Sequence, residues 1–500
     1  VPLVSSASIR HANALQLDWT EVLPAENCSY VLGNPPFLGK TYQSKEQKAD
    51  LAAVMQGVHG AGDLDFVCGW YVLAARYTKS ATPCHAGLEP ASMPLCAFVS
   101  TNSITQGEQV AVLWGEMQRL GMHTHFAHRT FQWTNEASGK AAVHCVIVGF
   151  GPENQAVKTI YEYEDIKGLP HAVPAKRINA YLVDAPDVLL NKRTTPICGV
   201  NAMANGGKAT DGGNLLLSDE EKDALIAVEP KAANWIRPFL MGDEFINNIG
   251  RWCLWLVNIP PAELRAMPHV LKRVEGVRAM REASTKAATV ALADTPTLFG
   301  EIRQPKSKRY LAIPKVSSER RQFIPIGYLD SEVICGDKIF FVDDASLLTF
   351  GVLTSTMHNA WMRYTCGRLK SDYSYSNTIV YNNYPWPGFA GEALSDKHRT
   401  AIEQAAQCVL DARAQFASSS LADLYDPLTM PPALLKAHQK LDTAVDAAYQ
   451  PSGGKKTYAS DAERVAFLFE LYQRITSLLP ASAAKKTRKI QLKLTDNAHA

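Results

Sequence analysis

The chain has 500 residues, 46% of them hydrophobic and 20% charged, the proportions of an ordinary globular protein, which exclude wholesale disorder and a disulfide-stapled miniprotein. Its formal net charge is only +2, so any nucleic-acid surface must be a local patch rather than a global basic field. No apolar run reaches the ~18 residues of a membrane-spanning helix, and ten cysteines without one Cys-x-x-Cys pair argue against disulfides or structural zinc and for a reducing cytoplasmic compartment.

From Ile9 to Phe150 short apolar runs alternate with stretches of helical spacing, the texture of a layered α/β domain. YVLG (30–33) reads as a strand ended by NPPF (34–37), because two prolines lack N–H donors and lock φ. Next come a helix in DLDFVCGWYVLAARYTK (63–79), a strand with a polar end in CAFVSTNSI (96–104), and a helix capped at Gly121 in QVAVLWGEMQRLGM (109–122). AAVHCVIVGF (141–150) is a further strand, so residues 1–155 read as the second half of a doubly wound sheet.

Beyond Gly151 the texture is irregular. NAMANGGKATDGGNLLL (201–217) reads as a loop, RWCLWLVNIP (251–260) and GDKIFFVDD (336–344) as strands, and AELRAMPHVLKRVEGVRAMREAS (262–284) as a helix between them. This predicts a mixed α/β domain over 156–390. Residues 391–480 are Ala-rich and helical, and 481–500 form a basic tail containing KKTRKIQLK (485–493). A second basic island, EIRQPKSKRYLAIPKVSSERR (301–321), concentrates Arg303, Lys306, Lys308, Arg309, Lys315, Arg320 and Arg321 against two glutamates.

The Pro-Pro turn carries chemistry. At the C-terminal end of a strand in an open α/β sheet the chain faces the ligand crevice. A turn locked by Pro35 and Pro36 there holds two acceptors, the Asn34 side-chain oxygen and the Pro35 carbonyl, in fixed geometry toward an amino group. An amine conjugated to a ring is a poor nucleophile; two acceptors on its hydrogens favour a pyramidal nitrogen and free its lone pair for attack on an activated methyl group. Phe37 supplies a flat face for a planar base that has left the duplex.

NPPF after an apolar strand resembles motif IV of the amino-group DNA methyltransferases, in the Asn form typical of N6-adenine enzymes. NPPFLGKTYQSKEQKADL, GAGDLDFVCGWYVLAARY, FVSTNSITQGEQV, HFAHRTFQWTNEASGKAAVHCVIVGF and GRLKSDYSYSNTIVYNNYPWP together resemble the MmeI-like type II restriction-modification family, single chains combining nuclease, methyltransferase and target recognition. The likeness covers about residues 9 to 390. It implies a class I (Rossmann-like) methyltransferase domain with S-adenosylmethionine as donor, followed by a target-recognition domain that binds double-stranded DNA. It also implies that Asn13, in RHANALQLDW, meets the donor's adenine, and that Phe131 and Trp133 of TFQW line the pocket for the flipped base; ordinary core packing is the competing reading of these aromatics.

The glycine-rich donor motif and nuclease of that family belong upstream of Asn13 and are not in this sequence, so the chain reads as the C-terminal portion of a longer enzyme. Glu46 and Lys48 imitate a nuclease Glu-x-Lys but lie on a polar stretch beside the turn, and His85, beside Cys84, has no ligand partners. For base readout, Lys370 and Asp372 in GRLKSDYSYS would share one face of an extended segment, the lysine for guanine and the carboxylate for the cytosine amine; a local ion pair is the competing reading. Lys338 and Ser374 are further candidates, and Arg320 and Arg321 suit phosphate contacts. Two other functions compete with an adenine-specific enzyme: a DNA-binding specificity module without catalysis, and a methyltransferase acting on glutamine or RNA.

Overall fold

The Pro35–Pro36 pair ends the first strand, β1 (Tyr30–Gly33), where a segment without N–H donors must end it. The structure, a computed structural model, describes residues 7–80, 93–133, 143–389 and 393–478; His85, Cys84 and the basic tail lie outside them. After β1 come α1 (Lys45–Val54), α2 (Cys68–Ser80), β2 (Leu95–Thr101), α3 (Gln109–Arg119), β3 (His123–Trp133), β4 (Val143–Gly151), β5 (Lys158–Glu162) and β6 (His171–Ala175). The strands form one six-stranded sheet of order β1-β2-β4-β3-β5-β6. β2 is parallel to β1 and β5 to β3, while β4 runs against both β2 and β3. The C-terminal ends of β1, β2, β3 and β5 and the start of β4 therefore share one edge.

α3 stops where Gly121 takes φ +72°, as its sequence predicts. α2 begins at Cys68, later than its apolar pattern suggests, because the Asp65 carboxylate accepts the Val67 N–H at 3.3 Å and holds the preceding residues in a turn. Tyr71 on α2 stacks on Phe150 of β4 at 5.4 Å and seats the helix on the sheet.

The middle of the chain folds as β7 (Met203–Asn205), β8 (Leu216–Leu217), α4 (Asp219–Val228), β9 (Ile236–Leu240), α5 (Gly242–Asn247), β10 (Trp252–Leu254), α6 (Pro261–Arg265), α7 (Pro268–Glu282) and α8 (Ala287–Val290). It continues through β11 (Arg309–Pro314), β12 (Val316–Ser317), β13 (Gly327–Asp330), β14 (Ile334–Cys335), β15 (Ile339–Asp343), α9 (Leu347–Thr354), α10 (Thr356–Thr365), β16 (Gly367–Leu369) and β17 (Asp372–Ser374). Three sheets result, ordered β14-β9-β10-β8, β13-β11-β15-β7 and β12-β17-β16. The segment 201–217, expected as a loop, contributes two of these strands, β7 and β8. The expected single helix over 262–284 is divided, because Pro268 cannot continue α6 and instead opens α7. Only Trp252–Leu254 of the predicted 251–260 strand pairs; Asn258 at φ +63° and two following prolines turn the rest.

Residues 201–300 have their own core, in which Leu217, Phe239, Leu254 and Val274 pack together. Arg281 is wholly buried beside it, and all five of its N–H donors reach backbone carbonyls: Ala209, Thr210, Leu292, Thr295 and Leu298, at 2.7–3.1 Å. The glycine-rich 206–213 loop, with positive φ at Thr210, Gly212 and Gly213, is thereby fastened to the 291–298 turn.

The C-terminal helices are α11 (Asp396–Ala414), α12 (Leu421–Leu424), α13 (Pro432–Tyr449) and α14 (Asp461–Leu478). They share one continuous core with the six-stranded sheet: Phe98, Phe150, Ile313, Trp361, Leu441 and Phe469 belong to the same buried cluster. Asn383, fully buried, joins three segments by donating to the Asn191, Thr378 and Ile379 carbonyls and accepting from Arg193 Nε and Tyr472 Oη.

Candidate active site and nucleic-acid interface

Asn34 follows β1 directly and its side chain is exposed, whereas Pro35 is buried. Among the described residues neither the Asn34 amide nor the Pro35 carbonyl has a hydrogen-bond partner, so both acceptors are available. Phe37 is half-buried against the core. The turn is fixed from behind: the Leu38 N–H donates to Asp65 Oδ1 at 2.9 Å, and the Leu38 carbonyl accepts from Gln43 Nε2 at 2.9 Å and from the Phe66 N–H at 3.0 Å. Asp65 and Gln43 are both buried, and burial pushes the Asp65 carboxyl above its ordinary value although three N–H groups and the Thr101 hydroxyl oppose the shift. Lys40 at the end of the loop pairs with Asp63.

Phe131 and Trp133 end β3 on the same sheet edge as Asn34. Three strand spacings separate β3 from β1 in the sheet order, or roughly 14 Å at ~4.8 Å per strand. Phe131 is half-buried and Trp133 is 37% exposed, so neither is an ordinary core aromatic. Asn13 is differently placed. Its Nδ2 donates to Asp50 Oδ2 at 2.8 Å and its Oδ1 accepts the Leu15 N–H at 3.0 Å, which leaves one N–H and one lone pair of this exposed amide open.

Three family models match the chain: "MmeI, DNA-methyltransferase domain" over residues 1–162, "MmeI, target recognition domain" over 184–388, and "MmeI, C-terminal domain" over 394–480. The chain belongs to the MmeI family. DNA methyltransferase A of Bacillus subtilis (strain 168) is 36% identical over 478 residues, 95% of this chain and 51% of that protein. The solved structure of the type IIL restriction-modification enzyme MmeI in complex with DNA superposes with a TM-score of 0.83 at 51% identity, covering 96% of this chain and 61% of that one. This chain thus spans less than two thirds of either relative.

In this MmeI-family chain the expected extended segment around Lys370 is a hairpin. β16 and β17 pair with Leu369 opposite Asp372, and Lys370–Ser371 form the two-residue turn. Lys370 takes φ +56°, a left-handed conformation uncommon for a non-glycine residue. Lys370 and Asp372 therefore do not share one strand face: Lys370 is the first residue of the two-residue turn and Asp372 opens the returning strand. No ion pair joins them among the described residues. Arg368 braces the tip by donating to the Ser371 carbonyl at 2.6 Å and to Glu319 at 3.2 Å, with its guanidinium over the Tyr373 ring. Glu319 also lies 3.8 Å from His144, which opposes Gln132 between Phe131 and Trp133.

Ser374 pairs with Gly367 and Val316 in this small sheet, and Lys338 stands exposed just before β15. Arg320 is exposed and 3.7 Å from Asp426. Arg321 is half-buried, its charge disfavoured by burial and its Nε without a partner among the described residues. The basic island is thus divided. Lys306 and Lys308 face solvent, whereas Lys315 donates to Asn205 at 2.6 Å beneath the Phe340 ring and serves the fold. Glu46 and Lys48 lie in the first turn of α1, where Glu46 accepts the Ser44 hydroxyl, and an i, i+2 pair on a helix faces two directions.

Sequence reasoning missed Asp65 and Gln43. GDLD marks a helix start, but no local pattern reveals that its second carboxylate reaches a backbone amide 27 positions earlier.

Proposed function

We propose that this chain is the catalytic and recognition portion of a site-specific DNA methyltransferase that modifies adenine N6 within a restriction-modification system. The observation that carries the reading is the Asn34–Phe37 turn, with two free acceptors, on the same sheet edge as Phe131 and Trp133. Asn34 Oδ1 and the Pro35 carbonyl accept the two hydrogens of the exocyclic amine and orient its lone pair, Pro36 keeps the turn rigid, and Phe37 and Phe131 bracket the extruded base with Trp133 at the rim. S-adenosylmethionine, when bound, supplies the methyl group.

The division of labour is a catalytic part over 1–155, recognition over 156–390, helices over 391–480 and a basic tail over 481–500. Lys370 and Asp372 at the hairpin tip, with Ser374 and Lys338, read bases in double-stranded DNA; Arg320 and Arg321 hold its backbone. The free edge of β1, with Tyr30 and Leu32 66% and 72% exposed, is a suitable seat for the adjoining methyltransferase strands. No helix among the described residues is long and apolar enough to cross a membrane; it is the proposed DNA substrate that would place the protein in the cytoplasm at the nucleoid.

One second reading remains, a specificity module that binds DNA without methylating it. Transfer of tritiated methyl groups to duplex DNA, by this chain alone and with the upstream half supplied, separates the two. Incorporation only in the reconstituted protein supports the main reading, and none in either sinks it. Incorporation into RNA or a peptide glutamine instead of duplex DNA would reassign the substrate.

A further inference from the structure

Behind Phe131 the aromatic rings form a ladder that base capture alone does not require. Tyr161 on β5 stacks on His128 of β3 at 4.2 Å and 9°. His128 Nδ1 is 2.9 Å from the hydroxyl of Tyr163, the Tyr163 ring stacks on Phe131 at 5.4 Å and 20°, and Phe131 meets Trp133 at 6.1 Å. The β3–β4 register shifts between His128 and Phe131, so the bulge, not a regular pleat, sets where Phe131 points. Burial disfavours the charged form of His128, which leaves one ring nitrogen as an acceptor for the Tyr163 hydroxyl.

Tyr163 is not a plain core residue. It is half-buried, sits just past the end of β5, and lines a cleft of about 530 Å³ together with Arg129, Glu162 and Arg368. A phenylalanine on a bulged edge has more than one staggered rotamer open to it unless something packs behind it. Resting on the assignment of Phe131 to the base pocket, we propose that Tyr163, anchored by His128, is a positioning residue that fixes the plane of the Phe131 ring so that an extruded purine meets a preformed face. The gain is preorganisation: the ordering cost is met on folding rather than on each capture event.

The test uses the full-length enzyme, a duplex with a fluorescent adenine analogue at the modified position, and the variants Phe131→Ala, Tyr163→Ala and Tyr163→Phe. Removing the stack in Tyr163→Ala should weaken the equilibrium for base extrusion about tenfold, at the lower end of the effect of losing an aromatic stacking partner. Tyr163→Phe, which keeps the ring and loses the His128 contact, should weaken it about threefold with an unchanged melting temperature, and KM for DNA should rise more than kcat falls. A wild-type signal in both Tyr163 variants beside a loss in Phe131→Ala overturns the proposal and leaves the pocket intact. A wild-type signal in Phe131→Ala overturns the pocket and the proposal together. If Tyr163→Ala does not fold, Tyr163→Phe decides: a weakened signal supports the anchor, an unchanged one overturns it.

Discussion

The Leu38 amide and the Asp65 carboxylate, 27 positions apart, are joined by a 2.9 Å hydrogen bond that holds the residue after Phe37 against the start of α2. Because the bond lies behind the turn, its loss reaches Asn34 only through backbone position. Asp65→Ala is expected to reduce methyl transfer about tenfold to a hundredfold, since misplacing a reacting group by about 1 Å carries a penalty of that order. Asp65→Asn keeps an acceptor oxygen and should lose less. Single-turnover kinetics beside DNA affinity checks this; equal activity in Asp65→Ala and the parent enzyme counts against the anchor.

On the proposed assignment, Asn34→Ala removes one of the two acceptors for the amine, an interaction that strengthens as the nitrogen becomes pyramidal. Turnover should fall at least about a hundredfold while DNA affinity stays within about twofold, the pattern of an interaction made mainly in the transition state. Near-normal turnover would remove Asn34 from catalysis.

Reversing the hairpin tip, with Lys370→Glu and Asp372→Arg together, should shift preference at one position of the modified site to the opposite G·C orientation. A good base contact is worth ~1–3 kcal/mol, or roughly tenfold to a hundredfold in discrimination. Long-read mapping of methylated motifs in cells expressing the pair of substitutions gives the answer. An unchanged motif from an active variant assigns the tip to shape or phosphate contact.

Asp442 links stability to pH. Its carboxylate accepts the Thr356 N–H at 2.6 Å and the Thr356 hydroxyl at 2.7 Å at the start of α10, and burial pushes its pKa up to about 6. A folded pKa above the unfolded value of about 3.9 means that the native state binds the extra proton. Stability should therefore fall as pH rises from about 4 to 6 and be level above, by about 3 kcal/mol for a shift of this size. Asp442→Asn should flatten that slope in denaturation curves collected across the window; an unaltered slope excludes Asp442 as its source.

Arg281→Lys should destabilise the 201–300 core by about 3 kcal/mol or more, because a compact ammonium cannot serve five carbonyls arranged for a planar fork. Urea titration monitored by the tryptophans of that region, Trp235, Trp252 and Trp255, is the measurement. A shift below about 1 kcal/mol, within the range of an ordinary surface substitution or a single neutral hydrogen bond, contradicts the role.

The catalytic half was legible in the sequence because its signals are local: a double proline ends a strand, an apolar stripe builds α2, and Gly121 stops α3. The recognition half was legible in composition but not in geometry. Whether Lys370 lies on a strand or in a turn depends on which segment Asp372 pairs with, and KSD carries none of the glycine or asparagine that ordinarily marks a two-residue reversal. The anchoring residues stayed hidden for the same reason: Asp65, Arg281 and Asn383 act on backbone groups distant in the chain, and a carboxylate, guanidinium or amide looks the same in sequence whether it meets water or a far backbone group.

The unbroken core that runs from Phe98 through Trp361 to Phe469 bears on how such proteins can diversify. Exchanging a whole recognition segment between homologues would cut through interlocking apolar side chains on both sides and demand that they mesh again in a foreign partner. Lys370, exposed on its two-residue turn, is free of that constraint. If the hairpin tip reads bases as proposed, substitutions there could alter the target without reopening this core.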